Sequence, residues 1–461
     1  MKFLFAVLFQ LSLAPFVLGQ VNQRPNFLVI MTDDQSHDTL TTEFMPNTKA
    51  MIADEGLTGT QFLMPTALCC PSRASFLTGK YAHHTRVRTN NDQLVGPTVA
   101  NRLHEAGYFT GLVGKYLNSW PGDSRPEYDY WAAWTKDYLS PKLNLFGTFQ
   151  TVPGYITYIL RDHALDFLNK VPKDKPFFLL FASRAPHSPA TPAPGDEHLY
   201  SNVAKWRPPN FNPADQSDKP AWLKDIPQLN QRKIDKQVDE LRLNQLRCLH
   251  SVDLAVADIV NKLKEQGKLD NTFVVFFSDN GYFWGEHRLL RKNRVYEEAS
   301  RGPFAVRYPP LIPESRLEDS LIAVIDLAPT IYELAGIPVP PDVDGHSLVP
   351  LLRGSTEWRD AVLLEGWPGT MNAQGPANEE EEEPEADQAG QNISQNQDFS
   401  RVFQDYEAIR TKEFVYVETV ADKPELYHVA SDPYQLHNLV NQPEFANLVK
   451  RFSDWLHHEK L

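Results

Sequence analysis

Cysteine is scarce: among 461 residues there are three, Cys69, Cys70 and Cys248. So few exclude a fold stapled by disulfides, and the odd number leaves one thiol unpaired. Positive charge is also short, with 45 Lys and Arg against 59 Asp and Glu and a formal net charge of −14. That balance argues against a nucleic-acid binder. Much of the acidic excess sits in one run, residues 379–383 with Glu385 and Asp387. The rest of the chain is therefore less acidic than the total, and an anionic ligand would need a local cationic pocket. Beyond residue 19 no apolar stretch reaches the length of a membrane span, so none is expected. No convincing internal repeat is found, and among the 14 histidines the extra metal ligands a two-zinc phosphatase would need cannot be placed, so metal analysis would decide that rival.

What is present suffices for one large domain and a smaller one, with 42% hydrophobic residues. Residues 1–19 read as a secretory signal, with Lys2 ahead of an apolar stretch and Val17-Leu18-Gly19 as a small-residue cleavage site. The expected destination is therefore the secretory route, secreted or lysosomal. Asn392-Ile393-Ser394 is a glycosylation sequon in a polar segment.

Several apolar runs of the buried-strand type end in chemistry-bearing residues. Residues 26–31 lead into Thr32-Asp33-Asp34-Gln35. Two carboxylates at the end of a buried strand are costly unless a cation sits between them. The carboxyl edge of an open α/β sheet is also where ligands bind, so hard-metal ligation is favoured over a solvated turn. Residues 272–277 lead into Ser278-Asp279-Asn280-Gly281, which reads either as a second set of oxygen ligands or as a hairpin turn made tight by Gly281. Residues 108–113 precede Gly114-Lys115-Tyr116-Leu117-Asn118, where a lysine past a strand end is ordinarily a solvated cation. Residues 176–182 precede Ser183-Arg184-Ala185-Pro186-His187-Ser188-Pro189. A histidine held between prolines suits proton transfer to a leaving group, with a capped loop histidine as the plainer alternative.

One stretch is not a product of packing alone: Ala67-Leu68-Cys69-Cys70-Pro71-Ser72-Arg73-Ala74-Ser75-Phe76-Leu77-Thr78-Gly79-Lys80. A thiol, a Pro-Ser turn and a fixed cation fall within five residues, followed by Leu-Thr-Gly. Cys70 reads as a buried core thiol. The pattern around Cys69 resembles the signature of the type I sulfatases, in which a dedicated formylglycine-generating enzyme oxidises the first cysteine to formylglycine (3-oxoalanine). The resemblance implies that Cys69 is the modified residue, because Pro71 and Arg73 stand at the required offsets. A hydrated aldehyde offers two geminal hydroxyls, one to attack sulfur and one to expel sulfate later; serine lacks the second.

The same resemblance extends over nearly the whole chain. It implies an alkaline-phosphatase-like α/β/α sandwich over residues 20–367 and a smaller C-terminal sheet-plus-helix domain at 401–461, interrupted by residues 368–400, whose acidic and polar low-complexity composition predicts a disordered insert. It implies one calcium ion held by Asp33, Asp34, Cys69, Asp279 and Asn280, a donor set dominated by oxygen that suits calcium rather than zinc. It assigns Arg73, Lys115, His187 and Lys292 to the sulfate and the leaving oxygen. Gly-Lys-Tyr-Leu-Asn and Ala-Pro-His-Ser-Pro resemble the N-acetylglucosamine-6-sulfatase and arylsulfatase subgroup, so the implied substrates are 6-sulfated sugars of glycosaminoglycans and aryl sulfates. Two departures stand out. Leu117 replaces a histidine common in other sulfatases, which leaves the base for sulfate release unassigned, with Asn118 the one neighbour considered to compensate, and Phe283 replaces a histidine of the 6-sulfatases. A phosphate or phosphonate hydrolase of the same superfamily and a non-catalytic sulfated-glycan binder are the rival readings.

Conversion of Cys69 would leave Cys70 and Cys248 free or bonded to each other, and the bond is one of these two open expectations. Residues 98–106 are expected as a helix. Residues 232–264 are expected as a covering helix pair, with Ser251 as a cap or break. The loop at 192–227 is expected beside the pocket, and His287 is expected to be structural or rim-lining rather than catalytic.

Overall fold

The computed structural model describes residues 24–368 and 404–458. The expected signal stretch, the sequon and the acidic run lie outside these residues. At its centre five parallel strands stand side by side: Thr272–Ser278, Asn26–Asp33, Phe177–Pro186, Phe109–Gly114 and Tyr130–Lys136. Flanking strands extend them to a mixed sheet of ten. Alternation along each strand explains why the sheet is buried on both faces. Phe27, Val29 and Met31 point into one apolar layer, Leu28 and Ile30 into the other.

The first layer packs against helices Cys69–Thr78, Val99–Glu105 and Leu327–Ala335, the second against Ile156–Lys170 and Leu241–Glu265. The result is the α/β/α sandwich expected from the sequence. The helix expected at 98–106 is there, with Thr98 as its N-cap: its hydroxyl accepts from the Asn101 amide. The expected helix pair is instead one continuous helix, Leu241–Glu265, entered through a π-helical stretch at Ile234–Glu240. Ser251 does not break it, because its hydroxyl bonds back to the Cys248 carbonyl at 2.7 Å within the helix.

The expected Cys70–Cys248 disulfide is absent: both thiols are free and buried. The physical reason is topological. Cys70 lies in the apolar layer on one face of the sheet and Cys248 in the layer on the other.

A second, four-stranded antiparallel sheet runs Ala361–Gly366, Tyr406–Thr411, Phe414–Thr419, Glu425–His428. Its first strand precedes the acidic run and pairs with the strand that follows it. Helix Ala446–His458 covers the sheet with Phe452 and Leu456.

Candidate active site

Four adjacent parallel strands end beside one another, and each hands charged or polar groups to the same spot. Thr272–Ser278 delivers Asp279 and Asn280; Asn26–Asp33 delivers Asp33 and Asp34; Phe177–Pro186 delivers Arg184 and His187; Phe109–Gly114 delivers Lys115. The carboxyl edge of a parallel sheet is suited to this, because side chains leaving neighbouring strands converge there. The turn after the first strand is locked by Asp34 in the left-handed region (φ 65°) and by the Gln35 amide donating to Ser278 Oγ at 2.9 Å.

Gly281 differs from the expected tight-turn glycine. Its φ is not left-handed; instead a Cβ there would lie 2.0 Å from the Glu298 carbonyl oxygen. Only glycine permits that close approach.

Helix Cys69–Thr78 brings the remaining pieces. Cys69 is its first residue, so the thiol sits at the positive end of the helix. Arg73, one turn on, donates from Nε to Asp279 Oδ2 at 2.6 Å and from Nη1 to the Lys115 carbonyl at 2.8 Å. Cys69 Sγ lies 3.3 Å from Asp33 Oδ1, 3.9 Å from Asp34 Oδ1 and 3.1 Å from Lys292 Nζ. Lys115 Nζ reaches Asp33 Oδ2 at 2.8 Å, and Lys292 Nζ reaches Asp34 Oδ1 at 2.6 Å. His187 Nε2 is 3.6 Å from Asp34 Oδ2, while its Nδ1 donates to the Ser188 carbonyl at 2.7 Å. All nine residues singled out in the sequence therefore meet, and all are buried.

Burial at such density shapes the charges. Burial acts to raise the Asp33 pKa, but Lys115, His187, Arg73 and Arg184 together hold it well below the usual carboxylate range. Asp279 goes the other way, to about 6, through burial and the neighbouring Asp33 carboxylate. Burial, followed by Asp33, pushes the Cys69 thiol well above its usual pKa. Burial also lowers His187 well below the ordinary imidazole value, with Arg184 and Lys292 adding to the effect. Burial therefore disfavours the thiolate of unmodified Cys69.

The cluster could hold a metal ion. Ligand atoms of Asp33, Asp34, Cys69 and His187 all lie within 4.8 Å of one another. Beside them Asn280 Nδ2 donates to Asp34 Oδ1 at 2.6 Å, while Asn280 Oδ1 is buried with no donor among the described residues. A buried carbonyl oxygen left without a partner costs about 1–3 kcal/mol, and a cation would supply that partner.

Of the two departures noted in the sequence, Leu117 is buried in the apolar layer behind Lys115 and presents no base. Phe283 is likewise core. His287 is structural: it stacks on Tyr296 with ring centroids 4.3 Å apart, and Asn210 lies at 3.1 Å from its Nε2. The residue the motif reading passed over is Arg184, whose Nη1 lies 3.4 Å from Asp33 Oδ2. Its only sequence signal is a cation at the end of a buried strand, which is ordinarily read as solvated.

Buried arginine and lysine side chains beside clustered carboxylates at a sheet edge make a site of a kind suited to an oxyanion and a cation. The chain belongs to the sulfatase family: residues 25–337 match the family model described as Sulfatase. It is 34% identical over 386 residues to the human N-acetylglucosamine-6-sulfatase, covering 77% of this chain and 69% of that protein. It is 33% identical to the Drosophila melanogaster extracellular sulfatase SULF-1 homolog over 76% of this chain, but spans only 33% of that protein's length. Against an N-acetylglucosamine-6-O-sulfatase of Bacteroides thetaiotaomicron the identity is 28%, over 94% of this chain and 86% of that one. Among solved structures, BT4656 in complex with D-glucosamine-2-N,6-O-disulfate superposes with a TM-score of 0.77 at 24% identity, over 95% of this chain and 98% of that one. The phosphonate monoester hydrolase of Agrobacterium radiobacter gives 0.73 at 20%, over 94% and 95%. These two likenesses show the fold.

Proposed function

We propose that this chain hydrolyses sulfate esters of sugars, 6-sulfated N-acetylglucosamine foremost, and accepts aryl sulfates as simpler substrates. The observation that carries the reading is the position of Cys69. Its thiol lies at a helix N-terminus, within 4 Å of Asp33, Asp34 and Lys292, so a nucleophile made from it would stand against the carboxylates and the lysine. The sugar class rests on the names of the human and Bacteroides relatives.

In this reading Asp33, Asp34, Asp279 and Asn280, with the residue made from Cys69, hold one calcium ion. The ion would neutralise sulfate oxygens, and the hydrated aldehyde made from Cys69 by a formylglycine-generating enzyme would furnish the hydroxyl nucleophile. The chain's own part is positional. Arg73, Lys115 and Lys292 set three cations around the space where negative charge develops. His187, its Nδ1 tied to Ser188, points Nε2 at the leaving oxygen, and an anion in the pocket would favour its protonation. Residues 1–19 direct the chain into the secretory route, where that maturation takes place. Among the described residues no helix is long and apolar enough to cross a membrane.

The test begins with the mass of the peptide containing Cys69, from a host that has the modifying enzyme. A loss of about 18 Da, thiol to aldehyde, is expected. Sulfate release from N-acetylglucosamine 6-sulfate is then compared with turnover of phosphate and phosphonate esters, because phosphonate hydrolases share the fold. Cys69→Ser should all but stop turnover. An unmodified thiol with no sulfate released would turn the reading to a glycan-binding protein, and faster phosphonate turnover would turn it to the rival hydrolase.

A further inference from the structure

We infer that Arg184 is a further anion-binding residue of this site, a cation supplied by the loop that carries His187. The inference rests on the reading of the pocket as a sulfate site and adds a contact to it. Arg184 is buried, with 7% of its surface exposed. Its guanidinium is held on three sides. It packs over the Trp134 ring, with Cζ 4.7 Å from the centroid. Nη2 donates to the Ser188 carbonyl at 2.8 Å, and Nη1 faces Asp33 Oδ2 at 3.4 Å. Nε is buried with no acceptor among the described residues.

An arginine that only braced its loop would not need to reach into the carboxylate cluster. The Nη1 contact is at the long end for a charge-assisted bond, against 2.8 Å for Lys115 to the same Asp33 oxygen. Arg184 is therefore less committed to Asp33 than Lys115 is. Arg73 shows the same feature: its Nη2 is buried without a hydrogen-bond acceptor and stands 3.7 Å from Asp33 Oδ2. Two guanidinium groups with unspent donors thus flank one carboxylate in a closed pocket. Leaving such donors unmatched is expensive, and a tetrahedral oxyanion with several acceptor oxygens is the ligand that matches them. Trp134 and the Ser188 carbonyl fix the plane of the fork, so little ordering is lost on binding.

The test uses the full-length protein in calcium-containing buffer and inorganic sulfate as the probe, with affinity read by equilibrium titration and by the sulfate-dependent rise in melting temperature. Wild type should bind sulfate, and Arg184→Gln should bind it about ten- to a hundred-fold more weakly, the effect of losing one charge-assisted bond or two. Arg184→Lys, which keeps the charge but not the fork, should fall between; it also carries the test if the glutamine variant does not fold. Equal sulfate affinity in all three proteins, even with a lower melting temperature in the variants, would overturn the inference and leave Arg184 as a brace for the loop. No sulfate binding by wild type would overturn both this inference and the sulfate pocket on which it rests. Wild-type binding without ester hydrolysis would sink only the catalytic reading.

Discussion

Asn280 spends its amide nitrogen on Asp34 Oδ1 and on the Gly281 carbonyl, and keeps a buried oxygen in reserve. If that oxygen is a cation ligand, Asn280→Ala removes a ligand while leaving the carboxylates paired with Lys115, Arg73 and Lys292. Calcium affinity should then drop by about 10–100-fold, at least the effect of losing an outer-shell partner. Calcium titration of the stripped protein measures this, and an unchanged affinity would remove Asn280 from the ligand set. The residues of this cluster were legible in the sequence for a simple reason. A hydrophobic run that stops at Asp33-Asp34, or at Asp279-Asn280, announces both a strand and the polar group at its end. Arg184 was not legible, because an arginine beside prolines has the same local pattern whether it meets water or a carboxylate.

At the scale of elements, the stretch that carries Lys292 is clamped by the small sheet. Arg410, in strand Tyr406–Thr411, donates from Nε to Glu297 Oε1 at 2.7 Å, and Tyr296 donates its hydroxyl to Glu425 Oε2 at 2.6 Å. Burial would raise the Glu297 pKa, yet Arg410 and Arg301 bring it down to about 2. Arg410→Met leaves that buried carboxylate with Arg301 as its remaining arginine partner and should cost about 3 kcal/mol, the lower end for a broken buried pair. The double variant with Glu297→Met should recover much of the loss. Chemical denaturation of the single and double variants decides, and a loss in the double as large as in the single would show that the pair is not what the sheet contributes. Here the sequence signal is thin. The strands at Ala361–Gly366 and Tyr406–Thr411 are readable one by one, but nothing local says that they pair across the residues between them. Ser251 likewise carries the composition of a helix break, and only its bond to the turn before shows otherwise.

For the whole molecule, buried ionisable groups away from the Asp33, Asp34 and Asp279 cluster contribute to the pH dependence of stability. Burial raises Glu286 to about 7, and burial with the nearby Glu286 raises Glu298 to about 8. An acid with a raised folded pKa holds its proton after the unfolded chain has lost it, so both groups remove stability as pH rises from about 4.5 towards 8. Burial lowers His287 to about 3 and, with Arg301, lowers His37 to about 4. These imidazoles stay neutral in the fold, so they remove stability as pH falls below about 6.5. Glu297, depressed to about 2, adds to the acid limb below about 4.5. The two sets oppose each other between about 4.5 and 6.5, and above about 6.5 the glutamates act alone. Melting temperature should thus fall between pH 6.5 and 8, and Glu298→Gln should flatten that limb while leaving the acid limb in place. A variant that keeps the full alkaline slope would refute the assignment.

Taken by itself, the sequence determined the strands with polar groups at their ends and the Cys69 motif, whose sulfatase resemblance implied the α/β/α sandwich. The strand ends and the motif are written in neighbouring residues, through apolar runs and short spacings. The tertiary structure alone decided that Cys70 and Cys248 face away from each other across the sheet. It alone showed that Gly281 is required by the Glu298 carbonyl rather than by a turn, and that Arg184 joins the carboxylate cluster. Those facts depend on which strands lie side by side and on which face of the sheet a group emerges. Contacts between residues tens to hundreds of positions apart settle both, and no local pattern in the chain encodes them.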